Sequence, residues 1–153
     1  MNSLKIAALT VICFLCIVAV TFAGPAFIYK FEDYPAKGTY KGTPAIVKIT
    51  TKGDRMYRTV LREAAAKGPD FTGHYKVATW GCGSGCVTYA IIDSNSGEIL
   101  QGAGGVVSRS CKQDDSEEVL NFRLESRLLI VNGNLDDEHL GIFYYELKDR
   151  KLV

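Results

Sequence analysis

Hydrophobic and polar positions fall into three regimes along the 153-residue chain. Ile6 to Phe22 is apolar and carries no charge. Residues 54–67 follow a helical period: Met56, Val60 and Ala64 line one face, with Tyr57, Leu61 and Ala65 beside them. Asp54 can accept hydrogen bonds from the orphan amides at the start of this helix. Gly68 suits a left-handed C-terminal cap, and Pro69 cannot continue the helix. Beyond Pro69 the period becomes two. "FTGHYKVATW" and "CVTYAIID" read as strands separated by a glycine loop, and "SNSG" as a turn. "VLNFRLES", "RLLIVNG" and "GIFYYELKD" read as later strands, with "KLV" as a terminal edge.

The remaining stretches are less regular. Residues 27–44 mix aromatics with Pro and Gly and read as an irregular lead-in. "AIVKIT" is a candidate first strand and "EILQG" a short return strand. Residues 101–118 are glycine-rich, then charged, which predicts a long mobile loop. One helix with six to eight short, closely spaced strands points to an α+β domain built mainly on antiparallel sheet. A β-sandwich with an appended helix is the alternative.

The N-terminus sets the compartment. One basic residue (Lys5), the apolar run and then "AGPA" follow the layout of a secretory signal peptide. Cleavage after Ala23 divides the chain into a signal peptide, 1–23, and one globular domain, 24–153. The domain is expected in the periplasm or secreted, with no stable membrane insertion once the signal is removed. Lys5 is the only charged residue of the first 23. The chain carries 18 basic and 17 acidic side chains, so the mature domain is balanced at 17 of each. That balance offers no basic field for nucleic acid.

Cleavage also changes the cysteine inventory. Of five cysteines, Cys82, Cys86 and Cys111 remain, and in an exported protein a pair is expected to be oxidised. If Cys82 and Cys86 face each other across a hairpin, Trp80 faces Thr88, Ala78 faces Ala90 and Lys76 faces Ile92. On the opposite face Thr79 meets Tyr89, Val77 meets Ile91 and Tyr75 meets Asp93. The second face is the more apolar and should be the core side. The first, carrying His74, Lys76 and Trp80, should be half exposed. A bulge in the glycine loop would shift this register. Opposed cysteines suit a Cys82–Cys86 disulfide, which would pin the tip; pairing of Cys111 with either is the alternative.

Chemistry-bearing readings of the same stretch are weaker. Zinc wants four ligands in paired short spacings, whereas this is C-x3-C with two scattered histidines, so no metal and no cofactor is expected. Redox thiols use C-x-x-C at a helix start. A cysteine nucleophile needs a nearby base, yet His74 lies about 25 Å down the strand from Cys82. Ser84 is outside a G-x-S-x-G elbow. "DSNSGE" is a plain turn and "LDDEH" a solvated charge run.

"DFTGHYKVATWGCGSGCVTYAIID", followed by "FRLESRLLIVNG" and "IFYYELKDRKLV", resembles a group of small exported proteins of Gram-negative bacteria, most of them uncharacterised. Gly73, His74, Tyr75, Trp80, Gly81, Cys82, Gly83, Gly85 and Cys86 carry the resemblance. It implies a periplasmic or secreted location and no particular activity. Size, compartment and stapled hairpin are also similar in kind to periplasmic lysozyme inhibitors, although Ser84-Gly85 is followed by Tyr89, one residue later than in their Ser-Gly-x-x-Tyr signature. The resulting expectation is a non-enzymatic binding or inhibitory domain whose partner is a periplasmic or extracellular protein. His74, Lys76, Trp80 and Ser84 are the candidate binding residues, Trp80 because tryptophan is a favoured interface anchor. A small envelope hydrolase using His74 and Asp93, and a purely structural envelope protein, are the rivals.

Overall fold

The predicted helix is two pieces with an earlier start. The computed structural model describes residues 29–83, 86–100, 106–108, 118–134 and 139–153, with backbone alone at 86 and 106–108. Helix α1 spans Lys52–Met56 and α2 spans Arg58–Ala66, with Tyr57 between them outside helical geometry. Thr51, not Asp54, is the N-cap. The Thr51 hydroxyl accepts from the Asp54 amide at 3.0 Å, and the Asp54 carboxylate accepts from the Thr51 amide at 2.7 Å. This reciprocal box satisfies two amides that a lone Asp54 cap would leave one short. Burial pushes the Asp54 carboxyl up, but the amide and hydroxyl bonds from Thr51 and Thr50 outweigh it and hold the group below its ordinary value. Gly68 closes α2 at φ +81°, and its amide donates to Ala65. Only part of the predicted apolar stripe is used: Leu61 and Ala65 are buried, whereas Met56 is exposed.

The rest is mostly antiparallel sheet, which makes the domain α+β. Seven strands are described: β1 (Tyr75–Gly83), β2 (Cys86–Asp93), β3 (Val106–Ser108), β4 (Leu120–Phe122), β5 (Leu128–Asn134), β6 (Leu140–Lys148) and β7 (Lys151–Leu152). Their order is β1-β2-β3-β5-β6-β7, with β4 paired to β5 off that path. β3 lies within the stretch expected to be a loop, the remainder of which falls largely outside the described residues. "AIVKIT" forms no strand. Its amides at Ala45 and Lys48 instead bond the turn after β2, at Ser94 and Gly97. "EILQG" contributes one bridge, Ile92 to Ile99. The signal-peptide segment lies outside the described residues.

Hydrophobic burial occurs on both sides of the β1–β2 hairpin. On one side Phe71, Tyr75, Val77 and Ile91 share a core with Leu129 and Val131 of β5. The sheet therefore curls so that β1–β2 and β5–β6 face each other, with Phe71 edge-on to Phe122. On the other side Ala78, Ala90 and Ile92 pack beneath Leu61 and Ala65 of α2 and Val47. Each large side chain fully buried this way contributes about 2 kcal/mol. The face expected to be half exposed is therefore roofed by the helix. A strand with small residues such as Ala78 and Ala90 leaves room for a helix backbone to approach, and that need is invisible in a count of apolar residues.

Candidate functional site

The hairpin register agrees with the sequence expectation from Tyr75↔Asp93 to Gly81↔Val87, then breaks. Gly83, not Cys82, pairs with Cys86, so Cys82 is an extra residue in a bulge. Directly opposed cysteines are thus corrected to cysteines offset by one position. Gly83 makes the offset possible at φ +134°, a backbone that side chains rarely adopt. Gly81, Cys82 and Gly83 are exposed. The Ser84 and Cys86 side chains and all of Cys111, and with them the Cys82–Cys86 pairing, lie outside the described residues.

At the base of the hairpin the motif residues are consumed by the fold. Gly73 has φ +81°, and a Cβ there would collide with the Gly38 carbonyl oxygen. Its amide donates to Leu124 at 2.6 Å, and its carbonyl accepts from Tyr40 at 2.8 Å. Ser126 is fully buried. Its hydroxyl bonds the carbonyls of Phe31 and Tyr34, and accepts from the Leu128 amide. "DFTGHY" and "RLESRLL" are therefore two halves of one hydrogen-bonded joint, with Thr72 donating to Arg123 and Ser126.

His74 is half-buried and its ring lies 4.1 Å from that of Tyr75, centroid to centroid. It faces a shallow depression formed with Lys37, Tyr40, Lys41 and Asn95. Asp93 is 5% exposed. One of its oxygens accepts from the Asn95 amide at 2.9 Å and the other from Arg150 at 3.1 Å. Arg150 also reaches Glu98 at 2.6 Å, and Glu98 meets Lys48. Asp93 is thus committed to a turn and an ion-pair network, and among the described residues it makes no bond to His74. Burial pushes the neighbouring Tyr75 phenol up; the Asp93 carboxylate adds to this and Arg150 opposes it. Arg150 is the partner that sequence reasoning missed. It arrives from the β6–β7 turn, where Asp149 and Arg150 both adopt positive φ, and no spacing in the sequence connects that turn to Asp93.

Lys76 is not on an open flank. Its ammonium pairs with Asp70, whose other oxygen accepts from the Val77 amide at 2.9 Å. The Lys76 side chain retains 12% exposure. Trp80 is half-buried against Tyr57, ring centroids 4.8 Å apart. Its indole Nε1 is buried with no hydrogen-bond partner among the described residues. Trp80, Tyr57, Leu61 and Ile99 wall a cavity of about 460 Å³ with Thr50, Thr51 and Asp54 among its polar lining. The structure does not bring His74, Lys76 and Trp80 into one surface. Each is held at a separate place along the hairpin.

No group of three or more His, Cys, Asp or Glu among the described residues could hold a metal ion. No helix among them is long and apolar enough to cross a membrane. No protein-family model, curated protein or solved structure matches the chain.

Proposed function

We propose that this chain is a non-enzymatic binding or inhibitory domain, exported to the periplasm or beyond, that engages a protein partner with the tip of the β1–β2 hairpin. One observation carries the reading. Gly81, Cys82 and Gly83 stand exposed past the point where packing ends, while the base of the same hairpin is locked by Gly73, Ser126 and Arg150. A rigid base with an exposed tip presents a pre-ordered loop at low entropic cost, which favours binding. In this reading Cys82 pairs with Cys86 to pin the tip. The signal-like N-terminus and the W-G-C-G-S-G-C stretch support reading the chain, within the same proposal, as one of the small exported bacterial proteins it resembles.

The test is capture of partners from periplasmic extract by the mature protein and by Gly83→Glu. Among the described residues a Cβ at Gly83 meets nothing within 4 Å, although any side chain at φ +134° is strained, so the substitution adds bulk and charge to the tip at the cost of local backbone strain. Capture should be lost while the melting temperature falls by only a few degrees. Undiminished capture by a folded Gly83→Glu protein would move the binding surface away from the tip.

A further inference from the structure

The depression at the hairpin base is rich in hydrogen-bond donors and has no carboxylate in its wall. Lys37, Thr39, Tyr40, Lys41, His74 and Asn95 line about 300 Å³. The segments that carry them, 29–50, 71–80 and 90–100, are described throughout. The backbone of the 37–41 loop is fixed at several points. The Ala36 amide donates to Glu125 and the Tyr40 amide to Gly73, each at 2.8 Å, and the Tyr40 hydroxyl donates to the Thr43 carbonyl at 2.6 Å. The Gly38 carbonyl oxygen sits so close to Gly73 that a Cβ there would lie 2.1 Å from it. Across the depression the His74 carbonyl accepts from the Ser94 amide at 2.9 Å, and the Asn95 amide is held by Asp93. The wall is therefore in place before any ligand arrives, and only the long side chains need to adjust.

The positive charge of this wall is not neutralised. The acids of the adjoining turn are already engaged: Asp93 and Glu98 pair with Arg150, and Glu98 also with Lys48. Among the described residues Lys37 and Lys41 have no ion pair, and the His74 ring, stacked on Tyr75, has no hydrogen-bond partner. The Tyr40 proton is spent on Thr43. The Thr39 hydroxyl, the Asn95 carboxamide and the His74 imidazole can each donate beside the two ammonium groups. We infer that this depression binds a phosphate monoester group. Charge and shape select it. A phosphate monoester carries about −1.5 to −2 at neutral pH on three acceptor oxygens, which matches two lysines and donors converging from both sides. A single carboxylate brings one charge and leaves one lysine uncompensated. The wall holds no arginine, whose planar fork suits a carboxylate; lysines act on phosphate as point charges. Recognition ends at the phosphate, because the lining offers little apolar surface for a larger body. A soluble phosphate ester and a phosphate-bearing lipid headgroup share this chemistry. The site lies at the end of the hairpin opposite the tip, so the inference goes beyond the tip-binding reading and does not rest on it.

Inorganic phosphate is titrated into the ¹⁵N-labelled mature protein at constant ionic strength, with acetate as the comparison anion. Phosphate should shift the Gly38, Thr39, Lys41 and Asn95 amide resonances saturably, and acetate should bind at least tenfold more weakly. Lys37→Gln with Lys41→Gln should weaken phosphate binding at least tenfold at an unchanged melting temperature, since both side chains are exposed. Lys52→Gln with Lys148→Gln, which removes two exposed lysines elsewhere, should leave binding as it was. Flotation with phosphatidylcholine vesicles, with and without phosphatidic acid, separates the two sources. Capture by phosphatidic acid that is lost in the Lys37, Lys41 variant assigns the phosphate to a lipid; phosphate binding without capture assigns it to a soluble ester. The inference is overturned if phosphate produces no saturable shift at those amides, if acetate binds as tightly, or if the two lysine pairs act alike. Gly83→Glu should leave phosphate binding intact, so failure of the tip reading and failure of this one are told apart on the same samples.

Discussion

Gly73 and Gly83 sit at opposite ends of one strand hairpin, both with positive φ and both within the motif that singles out this sequence. Their surroundings differ completely. A side chain at Gly73 would meet the Gly38 carbonyl, in a joint where Thr72, Gly73 and Ser126 stitch three segments together. Among the described residues, a side chain at Gly83 would meet nothing within 4 Å. Glycine at the base permits close backbone approach; glycine at the tip permits a bulge. The same residue type in one motif therefore serves packing at one end and presentation at the other. A motif's outline does not reveal which of its members remain available to a partner.

The largest expected effect tests the base. Gly73→Ala adds a clash to an unfavourable backbone conformation, and the joint cannot open without breaking the Leu124 and Tyr40 bonds. A loss of about 3 kcal/mol or more is expected, read as a collapse of the denaturant midpoint. A stable Gly73→Ala protein would break the comparison by showing the joint to be pliable.

Trp80 lies where packing gives way to the tip, and its truncation sharpens that boundary. Trp80→Ala removes the contact with Tyr57 but also removes an unpartnered buried donor, so the cost should be about 2 kcal/mol, less than for a fully buried Trp. Trp80→Phe keeps the ring over Tyr57 and discards the orphan N–H. Paired thermal melts should place Trp80→Phe close to the parent and well above Trp80→Ala. Equal losses for the two would show that the indole N–H has a partner in solution.

Gly83→Ala should cost about 1 kcal/mol, from backbone strain alone. Chemical denaturation beside Gly73→Ala gives the ratio of the two ends directly, and comparable losses would erase the distinction.

The smallest effect at neutral pH comes from Tyr89, on the inner face midway along the hairpin. Burial pushes its phenol up to about 12, and Tyr145 adds to this. The folded state therefore holds the proton more tightly than the unfolded chain. Tyr89's contribution is complete below the unfolded phenol value of about 10 and is lost as pH rises from there through about 12. Tyr89→Phe should be nearly silent at pH 7 and should flatten the decline in stability above pH 10. An unchanged alkaline profile would mean that the Tyr89 side chain is solvated when folded.

Much of the frame was legible in the order of residues. Helix position, the C-terminal Gly68, the β1–β2 register up to Gly81 and the later strands all follow from short-range rules of period, capping and turn chemistry, which act within a few residues. The true N-cap was also written there, as Thr51 three residues ahead of Asp54, but the first acidic residue masked it. The candidate binding residues were less legible. Lys76 and Trp80 share one face of β1, and alternation alone leaves that face open to water. Tertiary structure decided otherwise, because α2 packs on Ala78 and Ala90, Asp70 folds back on Lys76, and Tyr57 covers part of Trp80. The commitment of Asp93 to Arg150, 57 residues away, likewise depends on where two turns meet in space. Sequence by itself determined which segments would be helix and strand, since those choices are local. Only the three-dimensional packing determined which motif residues hold the fold and which are left facing outward, because burial and ion pairing are set by neighbours distant along the chain.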